Sequence, residues 1–264
     1  QFNQKDIKFL SLWIINTFFS LKNIEKLNKK KKINLNSIIL ISFLTAFLVS
    51  IRIVGLLIFI QYFISLIIYF EKTKVNFLKF LKINISNIIF FILLFFLFIY
   101  ILNLIFWHNP LEILNSIKWM SKYPQNIGTL TNGSLMYSLS LPSSYYFIWL
   151  FYKLPIIIIV GYLLYPFVES TIFKNDIVTI YYGTITIIAP IILVIFILMD
   201  VAVYDELRHL LFIVPLIFIT ATINIFFFKI KIIRALIPLT IIFFIFENFS
   251  LNPYQYTWLN SFAK

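Results

Sequence analysis

The chain contains no cysteine. That excludes a disulfide framework, a thiol nucleophile and a thiolate metal site. It carries no Walker A segment, no GxGxxG ahead of a helix and no HExxH, so neither ATP-driven transport nor zinc proteolysis is indicated. No internal repeat is visible, and a transporter assembled from repeated halves gains no support. Charge is scarce as well. Charged residues make up 12% of the 264, against about 25% in soluble domains. Acids are scarcer still, 10 against 22 Lys and Arg, for a net charge of +12.

What the chain has is apolar mass. It is 61% hydrophobic, with a mean hydropathy of +0.97. This is the composition of a protein whose solvent is lipid. The wealth of Phe and Ile beside Lys and Asn fits an AT-rich coding sequence, so Phe richness alone carries no function. The net charge invites a nucleic-acid reading, but its placement argues against one. The lysines cluster between apolar stretches, as cytoplasmic loops of a membrane protein require. The expected partner is the bilayer, with no nucleic acid.

The apolar stretches predict an all-α, polytopic transmembrane bundle of about eight spans, a single domain over 1–264. A first span covers Ile7 to Leu21. The stretch from Ile38 to Phe70 is too long for one crossing at about 1.5 Å per residue, and reads as two short helices meeting at Arg52. Further spans are Ile88–Phe106, Tyr145–Val168, Ile177–Met199, Leu210–Phe228 and Ala235–Phe246. With the first span starting outside, the loops after Leu21, Phe70, Val168 and Phe228, which hold most of the lysines, fall inside. Gln1–Asp6, the Arg52 turn, Trp107–Ser144, Asp200–His209 and the tail Glu247–Lys264 fall outside. In the outer loop 107–144, Asn109-Pro110 reads as a helix start. Leu111, Leu114, Ile117 and Met120 follow at helical spacing, giving a short interfacial helix or a packed surface helix.

The unusual polar residues fall at outer helix ends: Asp6, Arg52, Asp205, Glu206, Arg208 and His209. Charges near a bilayer are costly unless paired or facing a polar cavity. A carboxylate there can act as a base, Arg can clamp a phosphate through two parallel hydrogen bonds, and His209 can take phosphate or metal. Each has a plainer account. Asp6 can cap its helix, Arg52 can snorkel, and Arg208-His209 can anchor at the interface. Lys153 reads as a snorkelling side chain, and Tyr145, Tyr146 and Trp149 as belt aromatics.

Several segments, in order, resemble polytopic bacterial glycosyltransferases of the GT-C type, the group that includes dolichyl-phosphate-mannose–protein mannosyltransferases and aminoarabinose transferases. QFNQKDIKFLSLW is similar to that family's NPKDIPF segment, and IRIVGLL (51–57) to its tRivGll. WHNPLEILNSIKWMSKYP and LPSSYYFIWLFYKLP match its W-x-NP and lPwyYlp segments. YDELRHLLFIVP (204–215) resembles YdGlRHflFi.P, and LNPYQYTWLN (251–260) resembles hPyqYvyfN. The sequence departs from the pattern in three places: Glu206 stands where Gly is expected, Asn252 where His is expected, and Ser143-Ser144 replace an aromatic pair region.

The resemblance implies a bacterial inner-membrane enzyme using a polyprenyl-phosphate sugar donor on the periplasmic side. It implies that Asp6 lines the catalytic cavity and that Lys5, Arg52, Arg208 and His209 lie near the donor phosphate. Tyr204, Asp205, Glu206 and Tyr146 are candidates for substrate binding. A divalent metal is a candidate cofactor, with Asp6 and His209 as candidate ligands. The family's main catalytic Asp would lie ahead of Gln1, so the expectation is a fragment without activity of its own. The acceptor is unassigned. The alternative is a non-enzymatic transporter or flippase for polyprenyl-linked sugars.

Overall fold

The computed structural model describes residues 4–109, 111, 112, 115, 116, 126–131, 133–168, 174–201, 203, 206–228, 231–252, 258–260 and 263. The chain divides into two compact units. The first is Asn3–Pro124 with Asn175–Val201, and the second is Gln1–Phe2, Gln125–Lys174 and Ala202–Lys264.

In the first unit, α1 (Gln4–Lys30), α2 (Leu35–Ile51), α3 (Ile58–Thr73) and α4 (Phe77–Leu102) run up and down, followed by the single turn α5 (Ile105–His108). A later helix, Asp176–Leu198, completes the unit and packs on α3. Asparagine starts three of these helices. Asn34 accepts from the Asn36 amide, Asn76 from those of Leu78 and Lys79, and Asn175 from those of Ile177 and Val178, each satisfying orphan donors of a first turn. At one end Ile24, Leu27, Tyr69, Phe80 and Ile180 form a buried cluster. At the other, Ala46 and Val49 pack on Phe95 and Ile99. The first end is the one that carries the lysine-rich turns.

The second unit opens with a hairpin, β1 (Gly128–Thr131) against β2 (Ser134–Tyr137), paired antiparallel. Helices α6 (Ser144–Lys153) and α7 (Ile156–Leu163) follow. Counting the Asp176–Leu198 helix as α8, the unit ends with α9 (Val214–Phe227) and α10 (Lys231–Ser250). α7 lies so close on α9 that a Cβ at Gly161 would stand 2.6 Å from the Ile225 side chain.

The chain is thus a helical membrane protein. Among the described residues four helices are long and apolar enough to cross: Ile53–Thr73, Phe77–Leu102, Asp176–Leu198 and Arg208–Phe227. The bent pair α6–α7 makes a fifth if it is one span. The expected eight differ from this in definable ways. α1 has its apolar run interrupted by Asn16, Thr17, Ser20 and Asn23, and α2 has only 17 residues. The expected crossing from Tyr145 to Val168 is broken at Leu154-Pro155 by a bend of 119°. Pro155 has no N–H to donate and pushes Leu154 into extended backbone (φ −96°, ψ 139°). The fourth span starts earlier than expected, because Asn76 caps it ahead of Lys79 and Lys82. Most of the interfacial-helix stretch 109–122 lies outside the described residues. Asn109 does accept from the Leu111 amide at 3.1 Å, in keeping with a cap.

The chain has five glycines in all, and charged residues occupy left-handed backbone in their place. Lys31 (φ 57°) and Lys74 (φ 54°) end α1 and α3, where glycine is usual. Lys74→Gly should therefore stabilise the protein by about 1 kcal/mol, read as a higher thermal midpoint in detergent. Gly55→Ala should do the opposite, at about 1–3 kcal/mol. Its Cβ would meet Leu48 and Val49 backbone atoms at 2.9 Å, which cannot give way. An unchanged midpoint for Gly55→Ala would contradict that close approach.

Candidate functional site

Arg52 ends α2 and precedes a 3-10 turn, Ile53–Leu57. Its backbone is extended there (φ −150°, ψ 132°). The Gly55 amide folds back on the Arg52 carbonyl at 2.8 Å, and the absence of a Cβ at Gly55 lets the turn lie against α2. The break holds Arg52 at the end of the unit opposite the lysines. There its guanidinium bonds the carboxylate of Asp6, which is 2% exposed in the first turn of α1. Two residues 46 positions apart, each at a helix end, are joined in one ion pair. A guanidinium carries five donors in a plane, so one carboxylate does not exhaust it. Lys5 lies beside Asp6 in sequence and is exposed.

Below this pair α1, α2 and α3 are joined by neutral polar groups. The Asn16 amide donates to Thr45 Oγ1 at 3.2 Å, the Tyr62 hydroxyl donates to Asn16 Oδ1 at 2.5 Å, and Thr17 meets Gln61. All but Tyr62 are buried. Interhelical bonds of this kind take the place of the hydrophobic drive that lipid removes.

The second unit holds another constellation. The Lys153 ammonium meets the Glu206 carboxylate at 2.5 Å and lies 5.7 Å from the centre of the Trp149 ring. The Glu206 amide donates to the Tyr145 hydroxyl at 3.1 Å, and that hydroxyl is 3.4 Å from Thr129 Oγ1. Trp149 Nε1 donates to Thr131 Oγ1 at 3.2 Å. The hairpin is therefore pinned to α6 through two threonines that point the same way along β1. Glu206 has left-handed backbone, φ 60°, where an L-residue other than Gly, Asn or Asp is uncommon. Arg208 and His209 follow it, half-buried at the start of a 3-10 helix, Arg208–Ile213. Tyr146 is buried beside Tyr145, ring centres 6.2 Å apart and nearly perpendicular.

The expected site residues thus divide between the units. Asp6 and Arg52 are brought together in the first. Glu206, Arg208, His209 and Tyr146 lie in the second. Tyr204 and Asp205 lie outside the described residues. Among the described residues no three His, Asp or Glu side chains gather as metal ligands. Asp6 already faces a guanidinium, which repels a dication, so the candidate metal does not fit at Asp6. No family model, curated protein or solved structure matches the chain.

Two functional-looking residues were not expected. Lys153, read as snorkelling, is instead turned onto Glu206. The signal was the Lys-Leu-Pro sequence, which ends α6 at Lys153. Asn260 was the other. Its side-chain amide donates to the carbonyls of Phe151 and Leu154, the latter at 3.0 Å, and its backbone N–H donates to Tyr152 at 2.9 Å. It satisfies the carbonyls that the α6–α7 break leaves open.

Arg52→Met alone should cost about 3 kcal/mol, because it leaves the Asp6 charge buried without its guanidinium. Arg52→Met with Asp6→Asn should recover most of that loss. The double-mutant cycle is read from denaturation midpoints, and purely additive effects would mean the pair is not coupled. Asn260→Ala should destabilise the protein by about 2 kcal/mol through the orphaned carbonyls, whereas Asn252→Ala, at an exposed position, should have little effect.

Proposed function

We propose that the chain is the membrane portion of a GT-C-type glycosyltransferase of the bacterial inner membrane. It would move a sugar from a polyprenyl-phosphate donor to an acceptor on the periplasmic side. The observation that carries this reading is the Asp6–Arg52 pair. It joins two separate segments of the resemblance, QFNQKDIKFLSLW and IRIVGLL, at one helix break. A second observation supports it. Glu206 adopts left-handed backbone at the position where the resembling motif has glycine.

In this reaction the acceptor hydroxyl attacks the anomeric carbon and the carbon–oxygen bond to the lipid phosphate breaks. The hydroxyl proton passes to a carboxylate base, and polyprenyl phosphate leaves with the bonding electrons. Arg52 stabilises the charge that grows on the leaving phosphate, because its donors are held in place before the reaction starts. Asp6 orients Arg52 and keeps it charged in an apolar setting.

One observation favours the second reading, a transporter or flippase: the 119° break between α6 and α7, since broken helices line many transport sites. Vesicles containing the protein expressed from its full reading frame, with a donor labelled in its sugar, distinguish the two. The enzyme reading expects free polyprenyl phosphate to appear, with Arg52→Ala lowering its rate at least about tenfold and Arg52→Lys falling between, as loss of a bidentate contact requires. Labelled donor that crosses the bilayer with its sugar–phosphate bond intact would replace the enzyme with the carrier.

A further inference from the structure

The lysine-bearing half of the first unit holds an open cavity of about 400 Å3 between α1, α2, α3 and α4. Its walls are mostly apolar, with Ile24, Leu66 and Phe91 among them, and its polar positions include Ser20, Asn23 and Ser65. The volume falls in the range of pockets that hold small organic ligands, about 300–1,000 Å3. The Asn23 side-chain oxygen is buried and accepts no hydrogen bond among the described residues. A buried acceptor without a donor is costly, so a site at this place calls for a hydroxyl.

Around the same end stand Lys22, Lys26 and Lys29 on α1, Lys31 and Lys32 just after it, and Lys74, Lys79 and Lys82 around the start of α4. All are exposed. The carboxylates of this end are fewer and partly engaged. Glu25 bonds Lys29 at 2.8 Å and accepts from Tyr181 at 3.2 Å, and Glu71 lies 4.0 Å from Lys72. The bond from Lys29 holds the Glu25 carboxyl below its usual range, so it remains a partner for Lys29. Asp176 opens α8 at this end. The lysines alone are what orientation in a membrane demands. An apolar cavity beside them, with an unsatisfied acceptor in its wall, is not.

We propose that this cavity binds an anionic glycerophospholipid of the surrounding bilayer. One acyl chain occupies the apolar cavity, the phosphate sits on the lysine rim, and a headgroup hydroxyl donates to Asn23. Basic pockets between membrane helices hold anionic headgroups in this way. A free phosphate would leave the apolar volume empty, and a zwitterionic lipid would gain little from eight lysines. The bound lipid bridges all four helices, so it stabilises the unit that carries Asp6 and Arg52. The inference does not rest on the glycosyltransferase reading.

The test is a thermal-shift and native mass-spectrometric titration of the full chain in detergent, with phosphatidylglycerol, phosphatidylcholine and water-soluble glycerol phosphate. Phosphatidylglycerol should bind at least about tenfold more tightly than phosphatidylcholine and raise the thermal midpoint. Glycerol phosphate should do neither. Ser65→Phe, which fills the cavity, should abolish the preference, and Lys22→Gln with Lys26→Gln should reduce it severalfold. If Ser65→Phe does not fold, the lysine pair decides, since those side chains are exposed. Equal binding of the two lipids, or glycerol phosphate competing as well as the lipid, would overturn the proposal. So would a folded Ser65→Phe protein with undiminished preference.

Discussion

In hydrocarbon there is no water to receive a peptide N–H or C=O, so every place where a helix stops must supply its own partners. Much of this structure is organised around three such stops. At Arg52 the chain leaves α2, bonds its own N–H to Leu48 and turns through a tight 3-10 segment. At Asn103 the side-chain amide donates to the Ile99 carbonyl and to Ser50 Oγ at the end of α4. At Leu154-Pro155 the freed carbonyls are taken up by Asn260. The chemically interesting residues sit at or beside two of these stops, because a break is where backbone and charge can be accommodated together.

The same requirement shapes the helix interiors. Ser42, Thr45, Ser50, Thr17 and Thr184 each donate to the carbonyl four residues earlier. They are polar residues at no hydrogen-bonding loss, and their small size lets neighbours approach. Asn16, Gln61 and Tyr62 have longer reach and bond between helices. The result is a bundle whose specificity comes from a few neutral polar contacts. Its apolar surface, by contrast, is interchangeable: Phe63, Leu93 and Phe96 are all exposed to what the bilayer would occupy.

The helical membrane character, the α8 and α9 stretches and the break at Arg52 were legible in the sequence, because long apolar runs and a charge interrupting them leave strong signals. The pairing of Asp6 with Arg52 was legible only as shared sidedness, since nothing in a linear pattern says which carboxylate a guanidinium will meet. The hairpin was missed although Asn132-Gly133 stands between Thr-Leu-Thr and Ser-Leu-Met-Tyr, a strong short-range turn signal. It lies in a polar loop whose most regular pattern is the helical spacing of Leu111 onward. Pro155 was visible too, but its effect was masked by apolar residues on both sides, which suggested one continuous crossing. Asn260 could not have been singled out, because its partners are carbonyls that exist as open groups only after α6 and α7 have bent apart.

That last dependence reaches back across the chain. The carbonyls of Phe151 and Leu154 are made more than a hundred residues before the amide that satisfies them. At about 5–20 residues per second of synthesis, α6 and α7 wait on the order of ten seconds before Asn260 is made. Through that interval the bend must be tolerated by the translocation machinery, by water or by neighbouring helices. The second unit is therefore closed from Asn260 backwards, and its bent helix pair becomes final only after that residue is made.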